Sequence, residues 1–387
     1  VGDKIVFVLG AGASRSAGAP LMKDFLHRAD DVSASRFLPE NEKSAFDLVR
    51  RGRVALQAVH SKADYDIRNL ESVFAAFEMA TRFGQLGPLD DADVARLPQA
   101  MRQAIVRTLE RTMMFPVRHE DEGFLPHDDY RLFGELVSDL KGRGSHHVSV
   151  LTFNYDIGAD VGLHRAKCST DYCIEGPRAM NWSTVPLLKL HGSINWRYCA
   201  QCASGVEPWP VVDLLRRFKP MACEVLANEK REGHIAVSEG LAELHPRCEH
   251  TPSLPFIVPP TLNKSNETVA AIGNVWKSAA QALRASDTII VIGYSWPRSD
   301  QFFQSLYALG TAGDALLKRF WVFDPNPAVK RRFQALVRGH AADPDCFHFF
   351  EPTEVVWTVP SAEPEATFAS AIATIRKELV PPKPKQR

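Results

Sequence analysis

Ile5-Val6-Phe7-Val8-Leu9-Gly10-Ala11-Gly12-Ala13-Ser14 opens the chain with a short apolar run that stops on two closely spaced glycines. The run is rich in β-branched residues and has the length of a strand buried on both faces of a parallel sheet. Gly10 and Gly12 place a sharp turn at its end, where side chains would obstruct a ligand. Ser14-Arg15-Ser16 follows, and a helix is expected over about Leu21 to Ala29. Strand, glycine turn and helix, in that order, bring backbone N–H groups and a helix N-terminus against a pyrophosphate. Gly18 lies six residues after Gly12 rather than three, so the loop departs from the usual dinucleotide fingerprint and needs support from elsewhere.

Composition narrows the classes. The 387 residues are 45% hydrophobic, enough for a large core in one domain with insertions or in two domains. Lys plus Arg equals Asp plus Glu at 46 each, which argues against general electrostatic attraction to nucleic acid or anionic membranes. Lys330-Arg331-Arg332 is a small basic cluster of the kind that more often marks a solvated helix face. No apolar run approaches a membrane span and no secretory signal is visible. Seven cysteines, an odd number in a long chain, fit a reducing compartment better than a disulfide scaffold. The expectation is a cytoplasmic protein that binds neither membrane nor nucleic acid directly.

Strand-like runs recur at Ile5–Leu9, Val148–Phe153, Leu187–Leu190, Pro255–Val258, Thr288–Ile292 and Phe320–Phe323. Separated by helical stretches, they indicate an α/β protein with a mainly parallel sheet. Between the first two runs, Ile67, Leu70, Val73, Phe74 and Phe77 fall at helical spacing. So do Ile105, Leu109 and Met113, and then Leu132, Phe133, Leu136, Val137 and Leu140. Residues 1–30 therefore read as the first βα unit and 31–145 as a helical insertion. Residues 146–197 resume the sheet domain, 198–254 form a second, cysteine-bearing insertion, and 255–380 complete the domain. The proline-rich tail, 381–387, cannot continue a helix and is expected to be disordered.

The second run ends Thr152-Phe153-Asn154-Tyr155-Asp156 and the third ends Leu190-His191-Gly192-Ser193. In open α/β sheets ligands sit beyond the carboxyl ends of the strands, so Asn154, Asp156 and His191 are expected to converge near the Gly10–Ser14 loop. An imidazole that titrates near neutrality suits the acceptance or relay of a proton. Singly, Asn154 reads as a turn residue and His191 as a structural histidine; together at strand ends they point to a site.

In order along the chain, these motifs resemble the signature of the sirtuin superfamily. Gly10-Ala11-Gly12-Ala13-Ser14 with Gly18-Ala19-Pro20, then Thr152 to Asp156, then His191-Gly192, match its loop, strand end and His-Gly motif. Ile292-Gly293-Tyr294-Ser295 and Phe323-Asp324-Pro325-Asn326 look like its two later strand ends. The resemblance implies a Rossmann-like domain that uses NAD as substrate, cleaving the bond between nicotinamide and ribose C1′. It also implies roles. Gly10, Ala11, Gly12 and Ser14 would cradle the phosphates. Gly293, Ser295, Asp324 and Asn326 would face the cofactor, Asn154 and Asp156 would hold the nicotinamide ribose and amide, and His191 would serve as base. A structural zinc ribbon belongs to the same pattern. Cys199-Ala200-Gln201-Cys202 stands just beyond His191-Gly192, and His245-Pro246-Arg247-Cys248 supplies a second knuckle. Cys223 or His250 are alternative ligands.

The chain departs from the protein deacylases of that family. Leu26 stands where their arginine is sought, and Phe256-Ile257-Val258-Pro259-Pro260-Thr261 replaces their Phe-Gly-Glu turn. Two prolines remove backbone donors that a bound peptide strand would use. Asn69-Leu70-Glu71-Ser72-Val73-Phe74 instead looks like the Asn-x-Glu-x-x-Phe helix of sirtuin-like domains in bacterial antiphage defence, whose nucleophile is water. The resemblance therefore implies an NAD glycohydrolase. The alternatives are an NAD-dependent deacylase or ADP-ribosyltransferase, or a subunit that senses NAD or ADP-ribose without turning it over. It further implies a homo-oligomer gated by a separate partner, such as a HerA-type ATPase or an Argonaute-like protein.

Overall fold

A computed structural model describes residues 2–35, 38–59, 65–117, 123–177, 183–198, 205–217, 223–225, 231–237, 255–258, 266–297, 301–312, 315–337, 344–350 and 367–382. Strand β1 (Lys4–Leu9) runs into a one-turn 3-10 helix (Ala11–Ser14). Next come α1 (Phe25–Ala34), α2 (Glu40–Val59), α3 (Leu70–Phe83) and α4 (Asp91–Thr112). β2 (Phe115–Pro116) and α5 (Asp128–Gly142) precede β3 (His147–Thr152), α6 (Gly158–Arg165), β4 (Ser169–Asp171) and β5 (Thr184–Lys189). β6 (Gly192–Tyr198), β7 (Val206–Pro208), α7 (Val211–Arg217), β8 (Cys223–Val225), β9 (Arg231–Gly233) and β10 (Pro255–Ile257) follow. The chain then runs through α8 (Asn266–Ala285), β11 (Thr288–Ile292), α9 (Gln301–Gly310), β12 (Arg319–Phe323), α10 (Ala328–Val337), β13 (Phe347–Phe350) and α11 (Thr367–Leu379).

Seven strands form one parallel sheet in the order β13-β12-β11-β1-β3-β5-β4. β1 is central because both of its faces are apolar. Val6 and Val8 join a core with Ile289 and Val291 of β11 and Ile272, Val275 and Ala279 of α8. Ile5, Phe7 and Leu9 join the opposite core with Phe133, Leu136, Val137 and Leu140 of α5 and Ala371, Ile372 and Ile375 of α11. Helices on both faces of a parallel sheet are the expected solution for strands of this kind.

The helical layer shares a core with the turn after β3 and with β6 and β10: Leu26, Val49, Phe74, Phe77, Leu97 and Ile105 are buried in one cluster with Tyr155, Ile194 and Ile257. Its helices are capped locally. Asn69 Oδ1 accepts the Ser72 N–H at 3.1 Å, Asp90 Oδ1 accepts that of Asp93 at 2.7 Å, and Gly84 ends α3 at φ +68°. Three features differ from the sequence expectations. The helix after the glycine loop begins at Phe25, after ten residues of turns and irregular chain, rather than near Leu21. α5, inside the 31–145 block, packs on the sheet rather than in the helical layer. β10, expected among the sheet strands, pairs antiparallel with β6. The last has a clear cause: Gly192, at φ +78°, turns the chain off the main sheet, and a Cβ there would lie 2.2 Å from the Phe256 carbonyl oxygen. β4 and β13, at the two edges, carry no strand signal beyond three or four residues each. Among the described residues, no helix is long and apolar enough to cross a membrane.

Lys189, at the end of β5, is fully buried. Its ammonium donates to the Asp156 carbonyl at 2.6 Å and to Asp160 Oδ2 at 2.9 Å, while Tyr172 donates to Asp160 Oδ1. A charge removed from water is tolerated only with such partners, so Lys189→Met strands the Asp160 carboxylate. The expected loss is about 3–5 kcal/mol in urea unfolding; an unchanged midpoint refutes the assignment.

Candidate active site at the strand ends

The chain runs from β1 outward to β3 and β5, and later returns to β11 on the other side of β1, continuing to β12 and β13. Strand order thus reverses at β1, and the crevice beyond its carboxyl end is the place where such sheets bind ligands. Gly10, Asn154 and Gly293 follow the ends of β1, β3 and β11 there.

The glycines serve a contact that differs from the expected one. The Gly10 N–H donates to the Ile292 carbonyl at 3.1 Å, that of Gly12 to Gly293 at 2.9 Å, and that of Ala13 to Gly10 at 3.0 Å. A Cβ at Gly10 would lie 2.5 Å from Tyr294 Cα, and one at Gly12 would lie 2.7 Å from Gly293 Cα. Gly293 itself sits at φ +62°, with its Cβ position 2.5 Å from the Ala13 nitrogen. The close approach is therefore between two strand-end loops, and two of the amides expected to meet a phosphate, those of Gly10 and Gly12, are already spent on protein carbonyls. Gly293 in turn donates to the Phe323 carbonyl at 3.1 Å, which ties in β12.

Beside this lock, Ser14, Asn154 and Asp156 meet. Ser14 Oγ donates to Asp156 Oδ2 at 2.6 Å, and Asn154 Nδ2 donates to Ser14 Oγ and to the Gly10 carbonyl, both at 2.9 Å. The Gly158 N–H donates to Asp156 Oδ1 at 2.8 Å. Burial raises the Asp156 pKa, against the opposing pull of Lys189, Ser14 and the Gly158 N–H. Asp156 is buried behind Ser14, while Asn154 is half-buried in front of it. Both amide hydrogens of Asn154 face inward, so its Oδ1 is the polar atom left to act as acceptor. Tyr130 of α5 reaches Ser14 Oγ at 2.6 Å. Its place in the apolar stripe of α5 hid that contact from sequence reading, as β5's run hid Lys189.

His191 is buried against aromatic rings: Phe153 at 5.3 Å and 72°, Tyr155 at 6.1 Å. Phe153 stacks on Tyr294 at 4.2 Å, so the ends of β3, β5 and β11 share one aromatic floor. The His191 carbonyl accepts the Val258 N–H at 2.8 Å, and the Tyr155 hydroxyl donates to the Val258 carbonyl at 3.1 Å.

The remaining cofactor candidates lie on the other side of the lock. Ser295 and Asn326 are exposed, and Asp324 is buried. Asp324 Oδ1 accepts the Asn326 N–H at 2.8 Å, and Asn326 Oδ1 accepts that of Ala328 at 3.0 Å, at the start of α10. Arg332, expected on a solvated helix face, donates instead to the Ser295 and Trp296 carbonyls, both at 3.1 Å. It holds a turn in which Trp296 adopts φ +43°. Cys199, Cys202, His245, Cys248 and His250 lie outside the described residues. Among the described residues, no group of three or more His, Cys, Asp or Glu side chains is placed to hold a metal.

No family model matches the chain, and no curated protein matches it. Among solved structures it is similar to a Sir2 homologue in complex with NAD, at 13% identity and TM-score 0.41, over 97% of this chain and 91% of that one. Sir2 bound to a p53 peptide and NAD+ gives 13% identity and TM-score 0.38, over 97% and 92%. A mutant Sir2 homologue in complex with ADP-ribose gives 12% and 0.39, over 97% and 94%. These likenesses are distant, and the α/β assignment stands on the sheet topology itself.

Burial pushes the Asp324 pKa from 3.8 up to about 6, opposed by the Asn326 N–H and by Arg332. The folded chain then keeps a proton that the unfolded chain releases, so stability falls as pH rises from about 4 to 6. Asp324→Asn is expected to match the parent below pH 4 and to exceed it by about 1–3 kcal/mol at pH 7.5. Urea titrations at both pH values check this; a gap of equal size at both refutes it.

Proposed function

We propose that the chain is a sirtuin-like NAD glycohydrolase that converts NAD and water to nicotinamide and ADP-ribose. The observation that carries the reading is the Ser14–Asn154–Asp156 cluster. At the strand-order reversal it holds Asn154 with both amide hydrogens satisfied from within and its Oδ1 as the remaining acceptor. An acceptor so placed suits a ribose hydroxyl or an attacking water. The C1′–N bond breaks, nicotinamide leaves with the electron pair, and an oxocarbenium-like centre develops on the ribose. Water adds at C1′, and His191 accepts its proton directly or through the ribose hydroxyls. Asp156 acts from behind, by fixing Ser14. Gly293, Ser295, Asp324 and Asn326 serve the adenosine half, and Ala11 and Ser14 the phosphate side of the loop.

Hydrolysis is favoured over peptide deacylation by two features. Leu26 is buried in the helical core where the deacylases carry an arginine, and Pro259-Pro260, in place of their Phe-Gly-Glu turn, offers no backbone donors to a bound peptide strand. The reading includes a defence role, from the likeness of Asn69–Phe74 to the helix of antiphage sirtuin-like domains, and gated activity, because unrestrained NAD loss would kill its own cell. It also includes a homo-oligomer, and activation by a separate protein such as a HerA-type ATPase or an Argonaute-like partner. A Cys199/Cys202 and His245/Cys248 donor set has the chemistry of a closed structural zinc site, with Cys223 or His250 as alternative ligands.

Purified protein is incubated with NAD, alone and with its co-encoded neighbour, and nicotinamide is followed by chromatography while light scattering reports assembly. Release without any acylated peptide is expected, with His191→Ala and Asn154→Ala each lowering kcat by about two orders of magnitude or more. Release that requires an acetylated peptide, or NAD bound and returned intact, overturns the proposal. For the metal, elemental analysis is expected to give about one zinc per chain, lost with early melting in the Cys199→Ser/Cys202→Ser variant. Zinc-free protein of full stability refutes that part alone.

A further inference from the structure

The Ser14 hydroxyl owns one hydrogen, and it is directed at Asp156 Oδ2 at 2.6 Å. The 2.6 Å contact between Ser14 Oγ and the Tyr130 hydroxyl must then have Tyr130 as donor. Ser14 Oγ also accepts from Asn154 Nδ2, so its bonding capacity is complete: two bonds accepted, one given. With Tyr130 absent, Ser14 Oγ would lose one of the two donors that saturate it, and the Asn154 amide would be the remaining donor set against an oxygen less firmly held.

The seat of Tyr130 is built for it. Its side chain is 1% exposed and meets Phe368 edge to face at 5.3 Å. A Cβ at Gly158 would lie 2.2 Å from the Tyr130 ring, and one at Gly162 would lie 2.3 Å from the Tyr130 carbonyl oxygen. Two glycines one turn apart on α6 thus let α5 approach closely enough for the hydroxyl to arrive at Ser14. Burial, reinforced by the negative charge of Asp156, raises the phenol pKa well above its ordinary value, so the donor hydrogen is retained.

We propose that Tyr130 is a positioning residue for the reaction: by donating to Ser14 it fixes the oxygen that receives the Asn154 amide, and so holds the Asn154 carboxamide with Oδ1 toward the crevice. The kinetic part of this proposal rests on the NAD glycohydrolase reading; the structural part does not.

The test is Tyr130→Phe, which keeps the ring in its seat and removes one oxygen. Two measurements are made on the full chain, well below its melting temperature. Steady-state NAD turnover, with partner if needed, is expected to show kcat reduced about five- to tenfold, the range carried by one buried hydrogen bond, with KM within about twofold. In nitrogen-15 spectra, the side-chain amide of Asn154, identified by its loss in Asn154→Ala, is expected to exchange with solvent at least about fivefold faster in the variant. A purely structural tyrosine would lower the melting temperature and leave both readouts unchanged, and that result overturns the proposal. If the parent protein turns over no NAD, the glycohydrolase reading fails, and the Asn154 exchange rate alone still decides for or against Tyr130.

Discussion

A fully buried lysine is the constraint on which the β3–β5 half of this fold depends. Lys189 leaves β5 inside the protein, where an unpaired ammonium would cost far more than any one apolar contact returns. Its two acceptors come from the β3–α6 turn and from α6 itself, through the Asp156 carbonyl and the Asp160 carboxylate. Tyr172 and Asn195 extend the same network, with Asn195 Nδ2 donating to the Tyr172 hydroxyl at 3.1 Å and Ser193 Oγ donating to Asn195 Oδ1 at 2.6 Å. The network therefore fixes where α6 starts, where the Asn154–Asp156 turn lies, and how β6 departs from the sheet. The candidate site borrows its rigidity from that arrangement.

On the other side of β1, rigidity comes from close packing. Glycines at the ends of β1 and β11 let two backbones interlock, and Gly293 then hands the connection to β12. Phe153 stacked on Tyr294 bridges the two halves above the sheet. Polar bonding on one side and Cβ-free contact on the other meet at Asn154, whose amide donates both to Ser14 Oγ and to the Gly10 carbonyl.

The sheet was legible because its strands are short apolar runs that end in turn residues, and the strand-end rule then placed Asn154, Asp156 and Gly10 together. The close approach at Gly10 and Gly12 was also legible, but its partner was not. Sequence cannot distinguish a ligand from a neighbouring loop when both demand a missing side chain. Tyr130 and Lys189 are not legible in the sequence because each sits in an apolar stretch, where periodicity reports burial and is silent about the single polar atom at the tip. The spacing of α5 does not distinguish the helical layer from the sheet, since amphipathic periodicity names a buried face without naming what covers it. β10 left the main sheet because a turn at Gly192, invisible to hydropathy, reverses the chain.

The two leads of the helical layer are fastened together. Ser14 and Ser16 meet Tyr130 and Asp129, and the Met114 N–H donates to the Ala17 carbonyl at 2.9 Å, so the chain departs and returns through one clasp. Everything between is a cassette. Chain length inside such a clasp can change at little entropic cost, since closure entropy grows only with the logarithm of loop length. The helices still pack on Tyr155, which abuts His191, so their contact face stays tied to the candidate site while their length does not. A force that shears the layer acts on the clasp, and one of its rivets is the serine against which the Asn154 amide rests.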